Sequence, residues 1–221
     1  MTTSAADRMP LDTLERHLTP ERLRPYRDAA GGVLADAVRL YEWNGLASGA
    51  MHEILGKVEV LLRNALDRRL QERHELSGRA GDWWDDPTAV LDERRREDAR
   101  RARQHVRRQP VTHGRILAEL SFGFWRYLLS SRYEATLWTP ALRHGFPHLR
   151  PAGRQRIYQP VDHLHALRNR VAHHEPIHRL DLAKYENDAV FVAGCMDPGL
   201  ADWIRATSRL TEVLARRPAR R

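Results

Sequence analysis

Between His52 and about Arg73 the apolar residues Leu55, Val58, Leu62, Ala65 and Leu66 return every three or four positions, the spacing of one helix face. The same period runs through Val33 to Tyr41, with Val33, Ala37, Leu40 and Tyr41 turned toward a core, and through Ile116 to Ser130. It continues in Leu180 to Val192 and in a closing segment carrying Leu200, Trp203, Ile204, Leu210 and Leu214. No strand alternation, internal repeat or heptad run competes with it, so the fold class is all-α. A chain of 221 residues is long enough to bury one sizeable core. The expected organisation is an N-terminal helical extension over residues 1–30 and a helical domain over residues 31–218.

Local signals set the boundaries. Pro10, Pro20 and Pro25 divide Leu11 to Arg27 into short helical pieces. Thr19-Pro20-Glu21 is a helix start, with threonine as cap and proline at the first position. Gly31-Gly32 breaks the chain. Ser77 to Pro87 reads as a loop anchored by Trp83-Trp84; packing is the commoner role for such tryptophans, stacking on nucleobases the rarer one. Leu91 to Arg108 is a highly charged helix supported by Glu–Arg pairs one turn apart, a solvated face or an electrostatic guide for a polyanion. Leu137 to Leu149 is a proline-punctuated connector. Asp197-Pro198 caps the last helix, and the arginine-rich tail from Arg216 is expected to fray.

The stretch that bears on chemistry runs from Gln159 to Pro176. Pro160 suits a first helical position, and Pro176 biases Glu175 out of helical geometry, so the helix should end near His174. Ile157, Val161, Leu164 and Val171 form its apolar stripe, and Arg168 falls almost in the middle of that stripe. A guanidinium there must find an acid or a phosphate, because an unpaired buried charge is very costly. Asn169 and His173 are one turn apart, close enough for one to orient the other. His174-Glu175-Pro176-Ile177-His178 spells H-E-x-x-H, but a zinc protease needs both histidines on one continuous helix, and Pro176 interrupts it. Glu59 lies at the edge of the 52–73 stripe, where it either holds Arg168 from a neighbouring helix or pairs with Arg63 one turn on.

Arg168-Asn169-x-x-x-His173 resembles the R-x(4–6)-H motif of HEPN domains, with the usual polar residue after the arginine. The longer string from Leu167 to Pro176 resembles the bacterial abortive-infection (Abi-like, AbiD/AbiF type) branch of that superfamily. So do Tyr41-Glu42-Trp43-Asn44, the run Glu59 to Leu66, and Phe122-Gly123-Phe124-Trp125. The resemblance covers about Pro20 to Pro218. It implies a HEPN-type helical bundle with additional N- and C-terminal helices, and a homodimer that brings two motif helices together. It also implies phage defence or a toxin–antitoxin type system, with an antitoxin or regulatory RNA as restraint.

Composition adds limits. One cysteine, Cys195, excludes an intramolecular disulfide and points to a reducing cytoplasm. The N-terminus has no signal-peptide pattern and no apolar run is long enough for a membrane span. A net charge of +8 and a pI near 10.3 permit nucleic-acid binding, but Lys57 and Lys184 are the only lysines, and an arginine bias also follows from a GC-rich genome.

The residues suit metal-free RNA cleavage, with no cofactor. A histidine near neutrality accepts the 2′-OH proton, and the oxygen attacks the adjacent phosphorus to leave a 2′,3′-cyclic phosphate. His173 is the candidate base, Arg168 the stabiliser of phosphoryl charge, and Asn169 a holder of the imidazole or a phosphate oxygen. Glu59 and His174 are supporting candidates, the latter, or His173 of a second copy, as leaving-group acid. Arg126 and Arg170 are candidate RNA contacts. Arg168 and His173 are separated by about 140° around an ideal helix and about 7.5 Å along it, so the site is expected where two motif helices face each other across a dimer interface. The rivals are a catalytically silent RNA-binding or scaffolding module, and a metal site built from His163, His165 and His173.

Overall fold

The computed structural model describes residues 9–86, 91–106 and 110–219, and among them the fold is all-α, with ten α-helices and no strand. In order these are α1 (Leu11–Leu18), α2 (Pro20–Ala29), α3 (Leu34–Leu76), α4 (Glu93–His105), α5 (His113–Glu119), α6 (Phe122–Leu128), α7 (Arg154–Ala172), α8 (Leu182–Met196), α9 (Pro198–Ala206) and α10 (Leu210–Ala215). None of these helices is long and apolar enough to cross a membrane.

The spine is α3, whose 43 residues extend about 65 Å. The two helical stretches expected over 33–41 and from His52 onward are one. Gly45, Gly49 and Gly56 are poor helix formers, costing about 1 kcal/mol each relative to alanine. Burial overrides them: Leu40, Trp43, Ala47, Ala50, Met51, Ile54, Leu55 and Val58 continue the buried face through the glycine-rich middle. Helices α2, α6, α7, α8 and α10 all pack on this spine. Leu23 and Tyr26 bring α2 into the same core.

Several boundaries follow the local chemistry. Thr19 accepts the Arg22 N–H at 3.4 Å, with Pro20 in the first turn of α2. Gly31 and Gly32 adopt φ of 63° and 88°, left-handed values that glycine reaches without strain. Asp197 accepts the Gly199 N–H at 2.7 Å to open α9. Where one helix was expected over 116–130 there are two, because Ser121 takes extended geometry and its hydroxyl accepts the Phe124 N–H at 3.3 Å, starting α6. The closing helix likewise divides into α9 and α10, and Trp203 is not in its buried face: it is 44% exposed, with the Lys57 ammonium 5.1 Å from its ring centroid. The tail is also better held than its composition suggests. The Arg217 guanidinium lies over Trp43, 4.9 Å from the ring centroid, and donates to the His178 carbonyl at 2.7 Å.

Trp83 and Trp84 are both buried, which is the packing role and not the stacking one. The Trp83 indole donates to Asp67 at 2.9 Å, and His113 stacks on Trp84 with centroids 4.5 Å apart. His113 also bridges two carboxylates, Asp82 at 2.6 Å and Asp67 at 2.9 Å. Burial alone pulls this imidazole's pKa down, but its hydrogen bonds to Asp82 and Asp67, with their charges, outweigh burial and raise it. The loop is therefore clamped to α3 and α5 through one histidine. On α4 the arginines are largely neutralised: Arg100 and Arg101 pair with Glu97, Arg103 with Asp85, and buried Arg95 with Asp98 while lying over Tyr127. Ala99 and Ala102 are buried, so α4 has a packed face as well as a solvated one. Residues 107–109, the end of the charged segment, lie outside the described residues.

His178 lies in the core against Tyr26, with ring centroids 4.8 Å apart. Among the described residues neither ring nitrogen has a hydrogen-bond partner at normal distance, and the nearby Pro25 carbonyl, the smallest influence on the ring, favours the proton. Burial, with the charges of Arg179 and Arg217, lowers its pKa to about 4. The unfolded chain binds this proton at a higher pH than the folded one, so the stability linked to His178 is complete above the ordinary histidine pKa and drains away as pH falls toward 4. The loss is on the order of 3 kcal/mol. Denaturant midpoints measured from pH 7.5 to 4 should fall steeply in the wild type. In His178→Phe, which keeps the ring contact with Tyr26, the fall should be shallower by about that amount; parallel curves would exclude His178 as the source.

Candidate functional site

Helix α7 begins earlier than expected, at Arg154, with Pro160 inside it. A proline there leaves the Arg156 carbonyl without its helical donor. Burial of Ile157, Pro160, Val161, Leu164, Leu167 and Val171 on one face carries the helix past that defect. It ends at Ala172, with His173 as C-cap. The His174 N–H bonds to the Val171 carbonyl at 3.1 Å and the Glu175 N–H to the Arg170 carbonyl at 2.8 Å, the paired bonds of a Schellman turn. The left-handed position of that turn normally takes glycine, but here it holds His174, at φ 56°. Arg22, from α2, donates to the His174 carbonyl, and Asn44, buried on α3, accepts the Ile177 N–H at 2.8 Å. H-E-x-x-H thus lies in a pinned turn with His178 in the core.

Arg168 sits within the arc of buried positions on α7, yet its side chain is 41% exposed. Its Nε is 3.8 Å from Glu59 Oε2, so of the two roles left open for Glu59 the structure takes the pairing with Arg168. A half-exposed pair at this distance contributes at most about 1 kcal/mol, so it orients the guanidinium more than it stabilises the fold. At 3.8 Å it is an ion pair and not a hydrogen bond, which leaves the planar fork of donors available to a ligand.

Contacts pair Glu59 with Arg168 and Asn44 with Ile177, so α3 and α7 run antiparallel here. Around the Asn44 contact lies a cleft of roughly 890 Å³. One wall is the end of α7, from Val171 to His174; the other is α3, with Tyr41, Glu42, Gly45, Ser48, Gly49 and His52; Arg22 closes one side. His173 and His174 are exposed on the first wall and His52 on the second.

Asn169 does not orient His173 with its side chain. Its amide is 3.4 Å from His165 Nε2, and only its backbone carbonyl meets His173, accepting that N–H at 3.0 Å. His165 packs edge-on to Phe122 and so close to Gly123 that a Cβ there would lie 3.1 Å from Nε2, which explains the glycine in Phe122-Gly123-Phe124-Trp125. Burial lowers the His165 pKa, assisted by the charges of Arg126 and Arg168 and opposed by Asp162. Arg126 is held by Asp162 and by the Tyr158 hydroxyl at 3.0 Å, on the polar edge of α7 away from the cleft. Arg170 points off another face and pairs with Glu175 at 3.2 Å across the turn. His163 pairs with Asp188 at 3.1 Å, so His163, His165 and His173 face different surroundings and do not form a shared ligand set.

Of the expected site residues, His173 and His174 line the cleft; the Arg168–Glu59 pair joins the same two helices outside its lining, and Asn169, Arg126 and Arg170 do not line it either. The sequence reading missed Arg22 and His52. Gly45, Gly49, His52, Gly56 and Glu59 recur at intervals of four and three, which marks a helix face lacking bulk. That pattern was hidden by dividing α3 at its glycines.

The left-handed His174 carries a backbone cost of about 1 kcal/mol. His174→Gly should raise stability by about that much, a melting-temperature gain of about 2–4 °C for a chain of this size, read by thermal denaturation. A lower melting temperature would mean that the imidazole contributes more than its backbone costs.

No known protein family, curated protein or solved structure matches this chain.

Proposed function

We propose that the chain is a metal-independent endoribonuclease of HEPN type. The observation that carries this reading is Arg168, held at its Nε side by Glu59 with its donors free, on the helix whose C-cap, His173, opens onto the cleft. In this reading His173 accepts the proton of a ribose 2′-OH. The O2′–P bond forms and the P–O5′ bond breaks, leaving a 2′,3′-cyclic phosphate and a 5′-hydroxyl. Arg168 meets the non-bridging phosphoryl oxygens with two parallel donors as charge builds on them. Glu59 keeps the guanidinium aimed, and Asn169 lies against His165, which packs on α6. By its resemblance, the protein acts in the cytoplasm as a homodimer in an abortive-infection or toxin–antitoxin type system, restrained by an antitoxin or a regulatory RNA.

End-labelled tRNA and mRNA incubated with the protein in excess EDTA test the reading. The wild type should leave cyclic-phosphate ends. His173→Ala should be slower by about 10²-fold or more while still binding RNA, as loss of a general base predicts. Arg168→Lys, which keeps the charge but not the fork, should lose a comparable amount. Binding without cleavage by the wild type would instead favour a silent RNA-binding module.

Glu59→Gln removes the charge opposite Arg168 at nearly constant shape. Because the pair is half-exposed, its melting temperature should change little, while kcat should fall by about tenfold through loss of aim. A large drop in melting temperature with unchanged kcat would make Glu59 a structural residue only.

A further inference from the structure

Transesterification at phosphorus requires two proton transfers, one from the attacking 2′-oxygen and one to the departing 5′-oxygen, and the reaction above assigns only the first. The attacking and leaving oxygens lie roughly in line on opposite sides of the phosphorus. The acid must therefore approach from the side opposite the base. His173 and His174 are consecutive residues on the α7 wall, so His174 shares the side of His173. Its carbonyl, moreover, is pinned by Arg22 and its backbone fixed in the left-handed region. Across the cleft, α3 presents His52, exposed and preceded by Gly45 and Ser48, which add little bulk to that wall, while the Arg209 guanidinium, paired with Glu53, fills the space beside Gly49. His52 lies seven residues, two helical turns, from Glu59 on the same face of α3. His173 lies five residues beyond Arg168 on the antiparallel α7. The cleft is thus lined by imidazoles from both helices, His52 from α3 and His173 from α7, and the same two helices are joined beyond its lining by the Arg168–Glu59 pair.

We infer that His52 is the general acid of this site: as the P–O5′ bond breaks, its imidazolium gives a proton to O5′ while His173 takes the proton from the 2′-OH. Each turnover leaves His52 neutral and His173 protonated, and exchange of one proton with water at each ring restores the starting state. Both proton-transfer groups then belong to one chain, and a second copy is not needed to supply the acid. The inference rests on the ribonuclease reading, and the other charged groups lining the cleft are Arg22 and Glu42, with His174 as its third imidazole.

The test compares two RNA substrates of one sequence, one with the ordinary 5′-oxygen at the scissile bond and one with bridging 5′-sulfur. A thiolate departs without protonation, so it removes the need for an acid. His52→Ala should cut the ordinary RNA about 10²-fold more slowly than wild type, yet cut the sulfur substrate at within about fivefold of the wild-type rate. His173→Ala should be slow on both, because attack still needs its base. Rescue by sulfur also shows that His52→Ala is folded. His52→Ala equally slow on both substrates, or at wild-type speed on the ordinary one, would overturn the assignment while leaving the ribonuclease reading intact. No cleavage of either substrate by the wild type would overturn that reading, and the assignment with it.

Discussion

The cleft depends on the register of α3 against the end of α7, and one buried hydrogen bond fixes that register. Asn44 is almost fully enclosed, and its carboxamide oxygen accepts the N–H of Ile177, a residue with no exposure at all. Buried polar groups without partners cost about 1–3 kcal/mol each, so neither group tolerates a shifted alignment. The bond locks the turn after α7 to the first third of α3. Two helical walls are thereby set antiparallel, and Glu59 arrives opposite Arg168. The Schellman turn adds the second constraint: by ending α7 at Ala172 it places His173 at the helix end, facing open space.

Around this register the supports are polar and specific, in contrast to the apolar packing elsewhere. Arg22 closes the turn from α2, and Arg126 braces α7 through Asp162 and Tyr158. His165, squeezed against Gly123, transmits the packing of α6 to Asn169. Charged groups in α4 are by contrast matched against each other, which leaves that helix with less free positive charge than its composition suggests.

Much of the architecture was legible because it rests on short-range rules. The three-and-four spacing, the Thr19 and Asp197 caps and the Gly31-Gly32 break each became the expected element. The errors at α3 and α7 share one cause. Local propensity treats Gly45, Gly49 and Pro160 as interruptions, whereas burial of the surrounding face carries both helices through them. At the site, the charge logic of Arg168 led to an acid partner, and Glu59 is that partner although the guanidinium is half-exposed and not buried. The partner of the Asn169 amide was not legible. Spacing of four residues admits both His165 and His173, and the choice depends on how close α6 approaches at Gly123, a tertiary fact.

The supports of the cleft are drawn from distant parts of the chain. Arg22 belongs to α2, while Trp43, two residues from the glycine-rich wall, donates to the Val213 carbonyl on α10 at 2.8 Å and lies under Arg217. Arg217 in turn holds the His178 carbonyl just beyond the pinned turn. Segments from both ends of the described chain, α2 and α10, therefore bear on the same cleft.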